Sequence, residues 1–355
     1  MESSLDDNTF TNLPAKTVPN LINTQNIILP KKFTKIECLR PIIQLGIEDT
    51  LVKFGEKIRG RWLIKGLIGS GGYGEIYYAS DLKMNGESVA VKVEPVIRKG
   101  KVAKRMILEQ KIMLRLQGKP HAPLMWASGT ERGLNYIVMQ LLSRNVADLR
   151  KRCPVQRLSK ATSGRIMQQA IAGLRDIHKV GYIHRDVKPA NMCFGLTEKS
   201  SRRLIIVDYG LARRFRQMDG KPIERRKRAG FRGTLRYVSM RVHDRKEQGP
   251  SDDLIALFFT LIEILRGELP WRDEKNDEKM KSAKMELMKD DFVKISKTFG
   301  FSVCEYGRAV MTLAVDDEPN YTFLISTMKK LAGNRHLNDP YDWENDYLEV
   351  LKEYK

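Results

Sequence analysis

A short polar run in the middle of the chain combines residue types that could act together on a hydroxyl group. Residues 184–191 read HRDVKPAN. Asp186 could accept a hydrogen bond from a hydroxyl that attacks a phosphoryl group, and Asn191 could offer its amide oxygen to Mg²⁺. Their close spacing places both side chains on one predicted loop. The run therefore predicts phosphoryl-transfer chemistry.

A second acidic residue, Asp208, directly follows the apolar residues 204–207 and precedes Tyr209 and Gly210. A carboxylate at the end of a predicted strand is a hard oxygen ligand on a rigid support, which suits a metal ion that bridges the β- and γ-phosphates of a nucleotide. An isolated triplet of Asp, an aromatic residue and Gly usually marks a turn. Its position after residues 184–191 and before a basic segment favours the metal-binding interpretation.

A glycine-rich segment near residue 70 could approach phosphate groups. Residues 69–74 read GSGGYG, and glycines let backbone N–H groups approach phosphates without interference from a Cβ atom. A Rossmann fold would need a helix directly after the last glycine, whereas residues 75–78 read EIYY and resemble a strand that returns from a hairpin. For this segment taken alone, an ordinary glycine-rich turn remains the alternative.

Two charged residues downstream could complete a phosphate site. Lys92 ends the run VAVK in a predicted strand, from which its ammonium group could hold α- and β-phosphates. Glu109 lies on the next predicted helix, where it could pair with Lys92 and keep the buried ammonium charged. Taken singly, Lys92 could extend to solvent and Glu109 could be an ordinary surface residue. Both assignments therefore depend on the other motifs.

Hydrophobic periodicity predicts the elements that would position these groups. Alternating β-branched and aromatic residues predict strands from about residue 59, with turns at Gly71-Gly72 and Asn85-Gly86. The further predicted elements are a helix from Lys101 to Leu116, a strand from Tyr136 to Leu142, a helix with an apolar stripe from Ile166 to Ile177 that ends near Gly181, and a buried helix from Leu254 to Leu265. This order predicts a small strand-rich lobe, a larger helical lobe and a functional cleft between them.

The composition excludes several classes of protein. The 355 residues could form one large two-lobed domain or two ordinary domains, and 42% of them are hydrophobic, enough for a buried core. The four cysteines form no C-x-x-C pair, so we expect neither a zinc cluster nor a disulfide framework. The longest apolar run, residues 254–265, is shorter than the roughly 20 residues that a bilayer requires. We expect no membrane segment, no secretory signal and a cytoplasmic location.

The positive charge is concentrated in one segment. The net charge is +20, and residues 213–246 hold 13 Lys and Arg against three acidic residues, or +10. A localised basic patch is typical of a docking surface. The run RRKR at 225–228 could also be a solvated loop or a nuclear-localisation signal. Because no aromatic-interleaved basic motif accompanies the charge, we do not expect nucleic acid as a partner.

The motifs at residues 69–253 together resemble those of the eukaryotic protein kinases. Residues 233–241 read GTLRYVSMR where most kinases have Ala-Pro-Glu, which is similar to the pattern G-T-x-R-Y-A-S-I-N of the casein kinase 1 superfamily. The stretches VMQLLSRNVADLR at 138–150, AGFR at 229–232 and DPYDWE at 339–344 resemble the tau-tubulin kinases more closely still. Tyr209 in place of the usual Phe, and Met240-Arg241 in place of Ile-Asn, depart from the family pattern.

This resemblance implies an α+β, bilobal protein kinase fold over residues 58–345, with an N-lobe at 58–141 and a C-lobe at 142–345. Residues 1–57 would be an extension of uncertain order and 346–355 a tail. The resemblance also implies serine/threonine specificity, ATP as substrate, and Mg²⁺, with Mn²⁺ as an alternative. Lys188 and Thr234 would orient the catalytic Asp186, and Asn191 and Asp208 would bind the metal. The residues implied to bind ATP are Ile68, Gly69, Ser70, Gly71, Gly72, Tyr73, Gly74, Ile76, Ala90, Lys92, Glu109, Met139, Gln140 and Leu142.

The resemblance also bears on partners. Casein kinase 1 relatives act on acidic or already phosphorylated proteins, so we expect such substrates here, with Arg226 and Arg228 as candidates for binding the anionic group. We expect a monomer in the cytoplasm, with the nucleus as a further location. A catalytically weak, kinase-like scaffold that binds acidic partners through its basic face remains the alternative function. The intact set of polar groups argues against that alternative.

Overall fold

Six strands form one antiparallel sheet in the amino-terminal part of the fold. The computed structural model describes residues 41–45, 49–72, 74–217, 219–289 and 292–353. The strands of this part are β1 (Lys57–Ile58), β2 (Trp62–Gly71), β3 (Gly74–Asp81), β4 (Glu87–Pro95), β5 (Ile97–Arg98), β6 (Lys101–Val102), β7 (Met125–Glu131) and β8 (Leu134–Gln140). The sheet has the order β1-β2-β3-β4-β8-β7, while β5 and β6 form a separate hairpin.

One face of the sheet carries a core of aliphatic and aromatic side chains. Ile64, Tyr77 and Val91 are buried there. The burial of each such side chain stabilises the fold by roughly 1.5 to 3 kcal/mol. Val52 joins this core, and its backbone N–H donates to Tyr77 Oη at 2.9 Å. Part of the sequence before the predicted domain start at residue 58 therefore packs on the sheet, while residues 1–40 and 46–48 lie outside the described residues.

Helix α1 (Arg105–Arg115) follows the hairpin and is shorter than the helix predicted from Lys101 to Leu116. Lys99 and Gly100 have φ values of 48° and 70°, which turn the chain so that β6 pairs with β5. The hairpin removes the first residues of the predicted helix. The side of α1 that faces the fold carries the buried residues Met106, Glu109, Ile112 and Met113.

The strand predicted to reach Leu142 ends at Gln140. The following residues, 141–144, form an irregular connection to the helical part. The backbone N–H of Ser143 donates to the carbonyl of Phe194 at 2.7 Å, and Ser143 Oγ accepts the Phe194 N–H at 2.8 Å. These two hydrogen bonds fasten the connection to the carboxyl-terminal part.

Helices dominate the remainder of the described chain. They are α2 (Val146–Arg152), α3 (Lys160–Lys179), α4 (Met240–His243), α5 (Pro250–Arg266), α6 (Asp277–Leu287), α7 (Val293–Phe299), α8 (Phe301–Met311), α9 (Tyr321–Ala332) and α10 (Leu348–Glu353). Short strands β9 (Tyr182–Ile183), β10 (Met192–Phe194), β11 (Leu204–Ile206) and β12 (Arg213–Arg214) lie between them. The α+β, two-lobed architecture expected from the sequence is confirmed.

Two buried helices support the cleft side of the helical lobe. The predicted apolar stripe lies within α3, and the chain leaves this helix through Gly181, whose φ is 85°. Helix α5 begins with Pro250 at its first turn and includes the predicted apolar run 254–265. Among the described residues, we find no helix with the length and apolar character needed to cross a membrane.

Candidate active site

Three side chains hold Asp186 in the loop between β9 and β10, two from the same loop and one from a distant segment. Lys188 Nζ donates to Asp186 Oδ2 at 2.8 Å, and Thr234 Oγ1 donates to Oδ1 at 2.7 Å. Asn191 Nδ2 donates to Oδ2 at 3.2 Å and to the Asp186 carbonyl at 2.8 Å. Lys188 also donates to Thr234 Oγ1 at 2.9 Å, which closes a triangle of polar contacts. These contacts fix the carboxylate in one orientation, as a group that must receive a hydroxyl requires.

The backbone of this loop is hydrogen-bonded to the side chain of Asp253 on α5. Asp253 Oδ2 accepts the backbone N–H of His184 at 2.7 Å, and Oδ1 accepts that of Arg185 at 2.8 Å. His178 Nε2 on α3 makes a further contact with Oδ2 at 2.8 Å. Burial disfavours the charged carboxylate, but these donors outweigh burial and hold the pKa of Asp253 below its ordinary value. The loop therefore rests on a buried carboxylate.

His184 connects this loop to the segment that carries Asp208. Its Nδ1 accepts the backbone N–H of Asp186 at 3.2 Å, so the ring proton is on Nε2, which donates to the Val207 carbonyl at 3.1 Å. The ring also packs against Tyr209, with 5.5 Å between centroids. The two polar motifs that the sequence separates are thus held next to each other.

Lys92 joins the two lobes through ion pairs. Its Nζ lies 2.7 Å from Glu109 Oε2 and 3.2 Å from Asp208 Oδ1. Burial opposes the ammonium charge, but Glu109 and Asp208 more than offset it and raise the pKa of Lys92. Burial likewise disfavours the Asp208 carboxylate, and Lys92 outweighs it and lowers that pKa. Lys92 and Asp208 are therefore charged at neutral pH, although Asp208 keeps part of its side chain open to solvent. Burial raises the pKa of Glu109, and the paired Lys92 offsets only part of that shift.

Asn191 and Asp208 suit a hard divalent cation. Asn191 donates from its amide nitrogen to Asp186, which leaves its amide oxygen as the atom that could bind a metal. Asp208 has an uncommon φ of 67° and keeps part of its carboxylate open to solvent. Within the described residues, no three His, Cys, Asp or Glu side chains form a ready-made metal cluster. A Mg²⁺ ion held by one carboxylate, one amide oxygen, phosphate oxygens and water matches this pair.

The glycine-rich turn divides into two kinds of glycine. Gly74 has a φ of 140°, and a Cβ there would lie 2.2 Å from the Val93 carbonyl oxygen, so the fold itself requires this glycine. A Cβ on Gly69, Gly71 or Gly72 would meet nothing within 4 Å. Open space above these three residues fits a ligand that approaches the backbone. Tyr73 lies outside the described residues.

Strand pairing brings several predicted ATP residues onto one face of the sheet. Ile76 on β3 is opposite Lys92 on β4, and Ala90 is opposite Met139 on β8. Ala90 and Lys92 are two residues apart and cross-strand partners share a face, so all four side chains lie on the face from which Lys92 reaches Asp208. The remaining predicted positions border it: Ile68, Gly69 and Ser70 on β2, Gln140 at the end of β8, and Leu142 in the connection.

The basic segment gathers guanidinium groups beside Arg185. Burial, and then the nearby Arg213, Arg226 and Arg232, lower the pKa of Arg185 to about 10. Arg185 Nε itself donates to the Leu211 carbonyl at 2.6 Å. These four residues form what we call the arginine cluster.

Glu247 is the carboxylate partner of this cluster. Arg226 donates to Glu247 from Nε at 2.8 Å and from Nη2 at 3.0 Å, and Arg213 Nε lies 3.3 Å from the same carboxylate. The anion candidate Arg226 is therefore already engaged in a two-pronged ion pair, while Arg228 is exposed. This partner could not be predicted from the sequence, because Glu247 lies 21 residues beyond Arg226.

The site and the fold together define a protein kinase. A strand-rich lobe presents a lysine paired with a helical glutamate, and a helical lobe presents Asp186, Asn191 and Asp208 across the cleft. The chain belongs to the protein kinase family, since residues 62–330 match the family model described as Protein kinase domain. This match covers both lobes.

Curated relatives narrow the class. The chain is 42% identical over 327 residues to a Caenorhabditis elegans protein named "Putative casein kinase I", covering 91% of this chain and 94% of that one. It is 30% identical over 295 residues to the serine/threonine-protein kinase spe-6 of the same organism, covering 81% and 76%. A Dictyostelium discoideum protein named "Probable serine/threonine-protein kinase" is 34% identical over 293 residues, covering 82% and 58%. The chain is a protein serine/threonine kinase of the casein kinase 1 type.

Proposed function

We propose that this kinase transfers the γ-phosphoryl group of Mg-ATP to serine or threonine hydroxyls in acidic or already phosphorylated protein segments. ATP binds on the sheet face that carries Ala90 and Met139, with its phosphates between the glycine-rich turn and Lys92. Asn191 and Asp208 hold Mg²⁺, with Mn²⁺ as the alternative, and the metal neutralises charge on the phosphates.

In this proposal, the protein groups mainly position the reactants. Asp186 accepts the hydrogen bond of the attacking hydroxyl, and Lys188 and Thr234 prevent its carboxylate from rotating away. Lys92 places its positive charge beside the phosphates while Glu109 keeps the ammonium fixed. Such an arrangement is suited to a phosphoryl-transfer transition state, in which charge rather than covalent chemistry dominates.

The arginine cluster supports the preference for anionic substrates. Two of its four guanidinium groups, those of Arg213 and Arg226, pair with Glu247, and Asp253 acts on Arg185. The cluster therefore holds more positive than negative charge. Two members of the cluster are close in sequence to the catalytic residues. Arg185 directly precedes Asp186, and Arg232 lies two residues before Thr234. A phosphate or an acidic side chain of a bound substrate would balance that charge.

Phosphoryl transfer from radiolabelled ATP tests the catalytic assignment. We expect the wild-type protein to label an acidic protein substrate. Asp208→Asn should lose roughly 100-fold or more of that rate, because a neutral amide holds a divalent cation more weakly than a charged carboxylate does. An absence of labelling by both proteins would instead favour the scaffold alternative, and equal labelling by both would contradict the role assigned to Asp208. Replacing Mg²⁺ by Mn²⁺ in the same assay identifies the preferred metal.

A matched set of peptides tests the substrate preference. Peptides that differ at one position, carrying phosphoserine, Asp or Ala near the acceptor serine, would be compared by kcat/KM. We expect the order phosphoserine, Asp, Ala, and we expect the differences to shrink as salt is raised. Equal values for all three peptides would contradict the anionic preference and leave the kinase activity untouched.

Subfamily, location and assembly remain proposals of the same kind. The segments at 138–150 and 339–344 support a place among the tau-tubulin kinases. We propose a monomer in the cytoplasm that also enters the nucleus, where the run at 225–228 would be the signal. Fluorescent fusions of the full chain, with and without charge reversal in that run, test the location, and sedimentation tests the monomer.

A further inference from the structure

One lysine that is not among the proposed ATP-binding residues is completely buried in the helical lobe. Lys284 lies on α6, with none of its surface exposed, against the rings of Phe259 and Trp271. Burial of an ammonium group in such surroundings is costly unless every donor finds an acceptor. A buried lysine at this position therefore calls for a specific partner.

All three ammonium donors have acceptors. Lys284 Nζ donates to the carbonyl oxygens of Leu235 at 2.8 Å and Val238 at 2.7 Å, and it lies 3.0 Å from His243 Nε2. Because an ammonium group has three N–H donors and no acceptor, this set satisfies its charged form. The geometry is that of a cation clamping two backbone carbonyls of one segment.

The third acceptor is itself held in the required tautomer. His243 Nδ1 contacts Asp277 Oδ1, so the ring proton lies on that side and Nε2 is left to accept from Lys284. Asp277 also accepts from Arg245 Nη2 at 3.0 Å. Asp277 is the first residue of α6, the helix that carries Lys284. Two residues of α6, Asp277 and Lys284, therefore contact His243 at the end of α4.

The clamped segment directly follows Thr234, the residue that donates to Asp186. A substrate hydroxyl must come within hydrogen-bond reach of Asp186, and each further substrate residue extends at most about 3.5 Å. Residues 235–238, which directly follow Thr234, therefore lie within reach of the residues beside the acceptor. Trp271 Nε1 donates to the Arg236 carbonyl at 2.8 Å, so three of these four carbonyls are held by side chains from outside the segment.

We propose that Lys284 is a positioning residue that holds Leu235–Val238 in the conformation that receives the protein acceptor. It acts through the backbone of that segment and does not touch ATP. The proposal rests on the kinase activity and is independent of the preference for anionic substrates. It predicts that loss of Lys284 impairs phosphorylation of proteins more than use of ATP.

The strength of the clamp depends on pH. Burial lowers the pKa of Lys284 to about 7, against the opposing effect of Asp277. The other charged or titratable groups around it are His243, whose pKa is lowered by burial and then by Lys284 itself, with Lys281 and Arg245 behind. His243 is thus a neutral acceptor near pH 7. The clamp is formed below about pH 7 and is lost as Lys284 deprotonates above it.

Steady-state kinetics of Lys284→Met test the assignment, with Lys279→Met on the exposed side of the same helix as the matched control. The substrate is a serine peptide without acidic residues, so that the arginine cluster is not tested. We expect Lys284→Met to raise the peptide KM at least tenfold, with the KM for ATP and the rate of ATP hydrolysis without peptide within twofold of wild type. Lys279→Met should match wild type throughout.

Two results would overturn the proposal: an unchanged peptide KM in Lys284→Met, or equal losses in peptide phosphorylation and ATP hydrolysis. Should Lys284→Met fail to fold, the wild-type protein decides the question alone. Its peptide KM should rise several-fold between pH 6.5 and 8.5 while ATP hydrolysis stays level. A peptide KM that is flat over that range, although the pH dependence of unfolding shows that Lys284 titrates there, would contradict the assignment. An absence of any phosphoryl transfer would contradict the kinase activity.

Discussion

Asp253 Oδ1 accepts the backbone N–H of Arg185 at 2.8 Å, and Arg185 has a φ of 68°. For a long side chain this left-handed backbone conformation costs on the order of 1 to 3 kcal/mol and persists only where the surroundings impose it. Asp253 is buried on α5, so the strained residue beside Asp186 is held by the rigid helical core. The carboxylate thus links the stability of the helical lobe to the geometry of the catalytic loop.

Asp253→Asn should weaken this link. The amide keeps the shape of the carboxylate but has only one acceptor oxygen. In the wild-type protein, each of the two carboxylate oxygens accepts one backbone N–H. We expect kcat to fall about 100-fold with a nearly unchanged KM for ATP, and the free energy of unfolding to fall by about 2 kcal/mol. Urea denaturation and initial rates measure the two effects. A kcat within twofold of wild type would show that the loop holds its shape without Asp253.

The residues whose positions in the fold could be predicted from the sequence are those whose signal is local. Asp186 and Asn191 lie on one short loop, and Lys92 sits in an apolar strand, so residue type and spacing suffice. The structural roles of Asp253 and Lys284 could not be predicted, because their partners lie far away along the chain. His184 is 69 residues from Asp253, and Leu235 is 49 residues from Lys284. In the sequence each is an ordinary charged residue on a helix, and only packing reveals that it is buried.

The same distinction explains the errors in secondary structure. The apolar period from Lys101 to Leu116 is compatible with one helix, and nothing in it indicates that the first residues pair with β5. The left-handed Lys99-Gly100 turn was the available signal. Similarly, Leu141 and Leu142 continue the apolar pattern of β8, yet the fold uses them to cross between lobes.

Gly71→Ala and Gly74→Ala should separate a ligand requirement from a folding requirement. A Cβ at Gly71 meets no atom, so we expect the free energy of unfolding to change by less than about 0.5 kcal/mol while the KM for ATP rises at least fivefold. Gly74→Ala, with a φ of 140° and a clash with Val93, should lose about 2 kcal/mol or more. Thermal unfolding and ATP titrations measure both.

If Gly71→Ala bound ATP as wild type does, the open space above the turn would not be the phosphate site. If Gly74→Ala were fully stable, the turn would have to rearrange easily. The two results can be interpreted independently, because Gly71→Ala tests ATP binding and Gly74→Ala tests folding.

Glu247→Gln tests whether the carboxylate competes with substrate for the arginine cluster. The change keeps the shape of the side chain and releases Arg213 and Arg226 from their ion pairs. We expect the KM for a phosphoserine peptide to fall three- to tenfold and that for a neutral peptide to stay constant. Glu344→Gln, which loses an ion pair with Arg202, is the control for an equal change in net charge. An unchanged or raised phosphopeptide KM would mean that Glu247 supports the cluster instead of competing.

Tyr209→Phe restores the residue that most kinases carry and removes one hydroxyl. Tyr209 is fully buried, and its Oη donates to the Ile206 carbonyl at 2.9 Å. We expect the free energy of unfolding to fall by about 1 kcal/mol, because a buried carbonyl loses its donor. The packing against His184 is unchanged, so kcat should stay within twofold. A tenfold loss of kcat would assign the hydroxyl a role in the geometry of Asp208.

Lys284 should also leave a signature in the pH dependence of stability. Its pKa is about 7 in the folded protein and about 10.5 in an unfolded chain, so between these values the unfolded state binds one proton more. Stability must then rise with pH across this window, by up to about 1.4 kcal/mol per pH unit from this group.

Lys284→Met lacks the proton site, so the difference in free energy of unfolding, wild type minus variant, should increase from pH 7 to 9.5. Urea denaturation at a series of pH values measures it, with Lys284→Arg, charged throughout, as a second variant without the slope. A difference that is constant with pH would mean that Lys284 keeps its ordinary pKa despite burial, and that the three acceptors alone offset the cost of the buried charge.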